Sequence, residues 1–309
     1  MFIRRPRKRV TGLVALACAL VVLTASRVEA QTKSEAGLES KIHTLVASSG
    51  AEAVAVAFRD LQTGHELLVN PGESFHAAST MKVPVMLEVF REVREGRLSL
   101  DERLPVKNEF KSIADGSAFS VSPADDSEFT LYKKVGGTET VRELLRLMIT
   151  ESSNLATNII IERVTPERVM DLMRRMGARD IKVLRGVEDG KAFERGLNNT
   201  TTARDLLVLL RAIAEGRAVS REASREMTDI LLEQKFNEGI PAGLPSGTRV
   251  AHKTGWITKI NHDAGIVFLP GRKPYVLVVL VRGIADDKRA HELIADISRA
   301  VYEDVTKPR

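Results

Sequence analysis

Apolar and polar positions follow three regimes along the chain. Leu38, Ile42, Leu45 and Val46 recur at helical spacing up to Gly50, which predicts a helix over 33–49. The pattern then alternates: "AEAVAVAFRD", a turn at "LQTG" and "HELLVN" read as a β-hairpin closed by Pro71-Gly72. Helical spacing returns from Ser79 to Glu95 and stops at Gly96. A polar stretch over 107–137, with "DGS", "SPADDS" and "VGG", has little periodicity. A loop of that length either borders a functional site or is a flexible insertion, and both readings stand.

The middle of the chain is helical. Thr140-Val-Arg-Glu143 is a capping box before "ELLRLMI". Thr165-Pro166 marks a second start, with proline at the first helical position, and Thr202-Ala-Arg-Asp205 a third. Between them "RGVEDGKAFERGLNNTT" reads as a surface loop. The C-terminal part returns to strands in "GTRVAHKTGWI", "HDAGIVFLP" and "PYVLVVLVRG", and a last helix runs from about Asp286 to Asp304. The expected fold is therefore α/β in the layered α+β sense. One antiparallel sheet of about five strands is drawn from both chain termini and flanked by helices, with an all-helical lobe beside it. The expected boundaries are about 31–77 and 217–309 for the sheet lobe and 78–216 for the helical lobe, within one domain over 31–309.

The first thirty residues change how the composition reads. "MFIRRPRKRV" is basic, "TGLVALACALVVLTA" is apolar, and "VEA" precedes Gln31. This is the pattern of a cleaved secretory signal, too short for a good membrane span. The predicted location is periplasmic or secreted, without stable membrane insertion after cleavage. The leader carries six of the 46 Lys and Arg and one of the 41 Asp and Glu, which leaves 40 against 40. A near-neutral exported chain lacks the charge footprint of a nucleic-acid binder. Its one cysteine, Cys18, leaves with the leader, so neither a disulfide nor a thiolate metal site is available.

Residues 76–85, "HAASTMKVPV", place Ser79 three residues before Lys82. Alone, S-x-x-K fits either an activated nucleophile or a helix start with a solvated lysine. Other chemistries fail by inspection. No G-x-S-x-G is present, "HELLV" and "HELIA" lack the second histidine of a zinc-protease helix, and "GVEDGKA" is one residue short of a phosphate loop. Two further motifs follow in order: Ser152-Ser153-Asn154, and Lys253-Thr254-Gly255 on the first C-terminal strand. A serine hydroxyl needs a neighbouring base, and a lysine serves only if burial or nearby positive charge lowers its pKa. Lys253 could supply such a charge.

The ordered trio resembles the class A serine β-lactamases and their penicillin-binding relatives. The resemblance implies acylation of Ser79 by a β-lactam, then hydrolysis, without metal or cofactor. It implies Lys82 as base, Ser152 as proton shuttle, Asn154 as ligand of the substrate amide, and Lys253 and Thr254 as ligands of its carboxylate. Gly255 completes that motif, and the backbone N–H groups of Ser79 and Trp256 would form the oxyanion hole. The implied partners are a small β-lactam or a peptidoglycan-like molecule, with the chain a monomer. Two positions depart from the family. Ser153 stands where aspartate is usual, and no glutamate has the family's full loop pattern. Glu188, after Arg185, is preferred as the deacylating carboxylate, with Glu194 second because Asn198 follows it at the family spacing. Without effective deacylation the chain would be a D-alanyl peptidase, an esterase or a penicillin-binding sensor. A non-catalytic binding module is the third reading.

Overall fold

Five strands form one antiparallel sheet: β1 (Ala53–Asp60), β2 (Glu66–Val69), β3 (Arg249–Ile257), β4 (Ile260–Phe268) and β5 (Tyr275–Arg282). Their order is β2-β1-β5-β4-β3. The two ends of the chain meet where β1 pairs with β5, from Ala53 opposite Arg282 to Asp60 opposite Tyr275. This order leaves β3, the strand of Lys253-Thr254-Gly255, at the edge. The computed structural model describes residues 37–307 together with Met1. The predicted leader, Met1 apart, lies outside the described residues.

Period-two alternation distributes each strand between two cores. On β1, Ala55 and Ala57 join one cluster, whereas Val54, Val56 and Phe58 join the other. On β5, Val276, Val278 and Leu280 face the first, and Tyr275, Leu277, Val279 and Val281 face the second. Both faces are therefore covered, and a fully buried side chain such as Phe58 contributes about 2–3 kcal/mol of transfer free energy.

In chain order the helices are α1 (37–48), α2 (Lys82–Arg94), α3 (Val141–Thr150), α4 (Asn154–Val164), α5 (Pro166–Met176), α6 (Gly190–Glu194), α7 (Ala203–Ala214), α8 (Arg221–Leu232) and α9 (Asp287–Thr306). Helices α1 and α9 cover the outer face through Leu38, Ile42, Ile294, Ile297 and Val301. Helices α2, α3, α4 and α5 pack on one another, and α7 joins them to the inner face of β1, β4 and β5. Among the described residues no helix is long and apolar enough to cross a membrane.

Three local expectations change. Ser79 does not begin an α-helix: residues Ala78–Met81 form a 3-10 turn, and α2 starts at Lys82. Ala78 has φ +44°, in the left-handed region, which breaks the chain direction just before the serine. Helix α8 arises in a stretch for which the sequence predicted no element. Ser220 caps it, accepting from Ala223 N at 3.1 Å, and its buried side is narrow, with only Ala223, Ser224, Met227 and Leu231 buried. So weak a stripe does not stand out in the sequence. The polar stretch 107–137 is ordered by one short strand pair, Phe110–Lys111 with Ala118–Phe119, and by a 3-10 turn at Leu131–Lys134.

Candidate active site

Ser79 lies in the 3-10 turn that the edge strand presses against. A Cβ built on Gly255 would stand 2.9 Å from both Ser79 N and Thr80 N. Only glycine lets the two backbones approach this closely. This brings the N–H of Ser79 beside the strand that carries Trp256. In the turn, residues three apart eclipse one another, so Lys82 follows Ser79 on one side even though the α-helix starts later.

Two lysines converge on Ser152. Lys82 Nζ donates to Ser152 O at 2.6 Å, Ser152 Oγ at 3.2 Å and Asn154 Oδ1 at 3.0 Å. Lys253 Nζ donates to the same Ser152 Oγ at 3.0 Å and to Thr254 O at 2.9 Å. With both lone pairs of Ser152 Oγ taken by lysine N–H groups, its O–H is free to donate elsewhere. Both lysines are fully buried. Burial is the main cause that brings the Lys82 pKa down to about 7, opposed by the charges of Asp126 and Glu188. Burial, reinforced by the positive charge of Lys82, holds Lys253 well below the ordinary lysine value, with Asp263 opposing. Ser152 itself has φ +57°, a conformation that costs a non-glycine residue about 1 kcal/mol or more.

Sequence reasoning missed Asp126. This buried carboxylate from the polar stretch accepts from Asn154 N at 2.9 Å, Leu155 N at 3.0 Å and Tyr132 Oη at 2.8 Å. Ser153, in the place of the family's aspartate, caps α4 by accepting from Ala156 N at 3.2 Å. Asp126 thus supplies from a distant segment a carboxylate at the same helix start, where the helix dipole favours negative charge. "SPADDS" was the available signal, but nothing in its spacing singles out one acid.

Glu188 stands on a loop held from three sides. Arg185 spans it, donating to Leu197 O at 2.9 Å and to Asn198 Oδ1 at 3.2 Å. Asn158 pairs with Val187 in both directions, accepting from its N at 2.7 Å and donating to its O at 3.0 Å. Gly186 is required there, because a Cβ would fall 2.1 Å from Asn158 Oδ1. Asp189, the N-cap of α6, accepts from Ser112 Oγ at 2.8 Å and Ile113 N at 3.0 Å, tying the loop to the 107–137 stretch. Between these anchors Glu188 has φ +61°. Its Oε1 accepts from Asn154 Nδ2 at 3.2 Å. The side chain is open to the cavity, yet the surrounding walls desolvate the carboxyl and push its pKa up. Asp125 adds to this, and Lys82 and Arg185 oppose it.

One cavity of about 380 Å³ is lined by Ser79, Asn154, Arg185, Glu188 and Trp256 among others. Lys82, Ser152 and Lys253 are buried beside it and join it through the Lys82–Asn154 bond. Asn154 is therefore bonded to both Lys82 and Glu188, with one amide N–H left for a ligand. Glu194 is exposed at the end of α6 and does not line this cavity. Thr254 lines a neighbouring cavity, and its Oγ1 is buried without a partner.

The model of a family described as "Beta-lactamase enzyme family" matches residues 37–305. The extended-spectrum β-lactamase PER-1 of Pseudomonas aeruginosa is 26% identical over 300 residues, 94% of each chain. A β-lactamase of Bacteroides uniformis is 29% identical, over 92% of this chain and 96% of its own. Among solved structures, PBP-A superposes with a TM-score of 0.77 at 31% identity, over 88% of this chain and 97% of its own. A mutant of PBP-A has been solved as an acyl-enzyme complex with penicillin G.

Proposed function

Because the chain belongs to the β-lactamase enzyme family, we propose that it hydrolyses the β-lactam amide through a covalent acyl-enzyme on Ser79. One observation carries this reading. A single cavity brings Ser79 to Asn154, Glu188 and Trp256, beside two buried lysines that share the Ser152 hydroxyl.

In the first half-reaction Lys82, neutral in a useful fraction at pH 7, takes the proton as Ser79 Oγ attacks the carbonyl carbon. The oxyanion forms between the N–H groups of Ser79 and Trp256, where one donor is worth about 3–4 kcal/mol. Ser152 gives its free O–H to the departing nitrogen, and Lys82, 3.2 Å away, restores that proton. The C–N bond breaks and an ester on Ser79 remains. In the second half Glu188 takes a proton from water as the water attacks the ester, and Ser79 leaves with a proton returned through Lys82. Burial and the nearby Lys82 disfavour the charged form of Lys253, and a substrate carboxylate arriving beside it and Thr254 favours that form again. The leader pattern over 1–30 supports export to the periplasm or medium.

The likeness to PBP-A favours a second reading, in which the acyl-enzyme forms and water attack is slow. Turnover of a chromogenic cephalosporin, wild type beside Ser79→Ala, separates the two. Steady hydrolysis lost in Ser79→Ala is the expected result. A stoichiometric burst without turnover would replace hydrolysis by the second reading.

A further inference from the structure

The carboxylate that holds the start of α4 belongs to another segment. Asp126, buried in the stretch 107–137, accepts from Asn154 N, Leu155 N and Tyr132 Oη, and Ser153 Oγ donates to its Oδ2 at 3.5 Å. These contacts clamp the residues that follow Ser152, whose φ of +57° persists only where the surrounding chain is fixed. Lys82 Nζ bonds to both ends of the clamped turn, Ser152 O and Asn154 Oδ1. The carboxylate that fixes the turn therefore also fixes the acceptors around the base. Its negative charge favours the ammonium form of Lys82, the form that exists once the proton of Ser79 has been taken. Glu188 acts in the same direction from its loop, and Lys253 on β3 reaches the same Ser152 Oγ as Lys82 does.

We infer that Asp126 is a positioning residue for acylation of Ser79: it fixes Ser152 and Asn154 around Lys82, its charge stabilises the ammonium that Lys82 becomes, and a carboxylate at position 153 can take over both duties. The inference rests on the reading of Ser79 as the acylated residue and of Lys82 as its base. Position 153 is the N-cap of α4, where aspartate serves as well as serine and reaches the N–H groups of the first turn. Ser153 Oγ stands only 3.5 Å from Asp126 Oδ2, so two carboxylates there would repel each other in a buried place. The helix start needs one acid, and a second one undoes the first.

The test compares wild type, Asp126→Ser, Ser153→Asp and the exchange Asp126→Ser/Ser153→Asp. Acylation of the whole protein by penicillin is followed by rapid-quench intact mass. Each single change is expected to slow acylation about tenfold or more, the first through lost charge-assisted bonds and the second through like charges. The exchange is expected to return to within about threefold of wild type, because the two sites are coupled. If Asp126→Ser alone does not fold, a folded and reactive exchange variant is the same supporting result. Losses that multiply in the exchange, or an exchange variant that does not fold, would overturn the inference. Asp126→Asn separates charge from support. Its acid limb of acylation is expected below the wild-type limb at about pH 7, because Lys82 gives up its proton more readily without the carboxylate. A limb that stays in place would leave Asp126 a strut and overturn its part in the charge of the base. If wild type itself forms no adduct, the reading of Ser79 fails. The exchange of carboxylates is then read from thermal unfolding midpoints, with both single variants below wild type and the exchange near it, and any other order overturns it too.

Discussion

The lysine–serine centre and the Glu188 loop solve opposite problems within one cavity. Lys82 and Lys253 are fully buried on regular elements, α2 and β3, whose own buried apolar residues hold them in place. Glu188 faces the cavity from an irregular loop at φ +61°, held by side chains of Arg185, Asn158 and Asp189 instead of by a core. Burial lowers the pKa of the first pair and raises that of the glutamate, so one physical cause makes a lysine a usable base and a carboxylate a stronger one. Steps that depend on the lysines should therefore tolerate changes in the loop. Steps that depend on Glu188 should respond to residues far from the substrate.

The sharpest break of this contrast is Lys82→Ala. Loss of the base is expected to slow formation of the acyl-enzyme by about 10²–10⁴-fold, measured by rapid-quench mass spectrometry. The pH dependence carries the same sign. Lys82 must be neutral to act, so acylation falls as pH drops through about 7 and levels off above it. An ordinary lysine would move that limb above pH 10. Deacylation should instead fail as Glu188 is protonated, at a pH above the usual glutamate range.

A smaller effect comes from the strut between the polar stretch and the loop. Ser112→Ala removes one acceptor bond to the buried Asp189 and leaves the backbone bond from Ile113 in place. The expected outcome is a deacylation rate lower by about three- to tenfold with acylation unchanged, corresponding to about 1 kcal/mol of positioning. Ser112→Thr, which keeps a hydroxyl for Asp189, should keep the wild-type rate. An equal loss in both steps would mean that the strut supports the whole site and not Glu188 in particular.

Much of the fold was legible because periodicity is a local signal. The β1–β2 hairpin, the three C-terminal strands and the last helix each alternate or repeat strongly enough to be placed, and their joining into one sheet followed from their place at the two chain ends. Ser79, Lys82, Asn154 and Lys253 were visible through short, ordered motifs. Asp126, Asn158 and Asp189 were not. Each acts as a hydrogen-bond partner for a segment far away in sequence, and nothing in its immediate neighbours records that partner. The two-lysine coordination of Ser152 spans 70 and 101 residues and exists only once the sheet edge meets the helices. Helix α8 escaped notice for the opposite reason: its buried stripe is too thin to outweigh the polar residues around it.

The central claim is that attack and release belong to different parts of the cavity, with release assigned to Glu188. Glu188→Gln, mixed with excess penicillin and sampled by intact mass and peptide mapping, tests it most directly. The account predicts rapid formation of a one-equivalent adduct on Ser79 that persists, while the wild-type adduct disappears within turnover. Undiminished hydrolysis by Glu188→Gln, or an adduct that persists in Glu194→Gln instead, would contradict it.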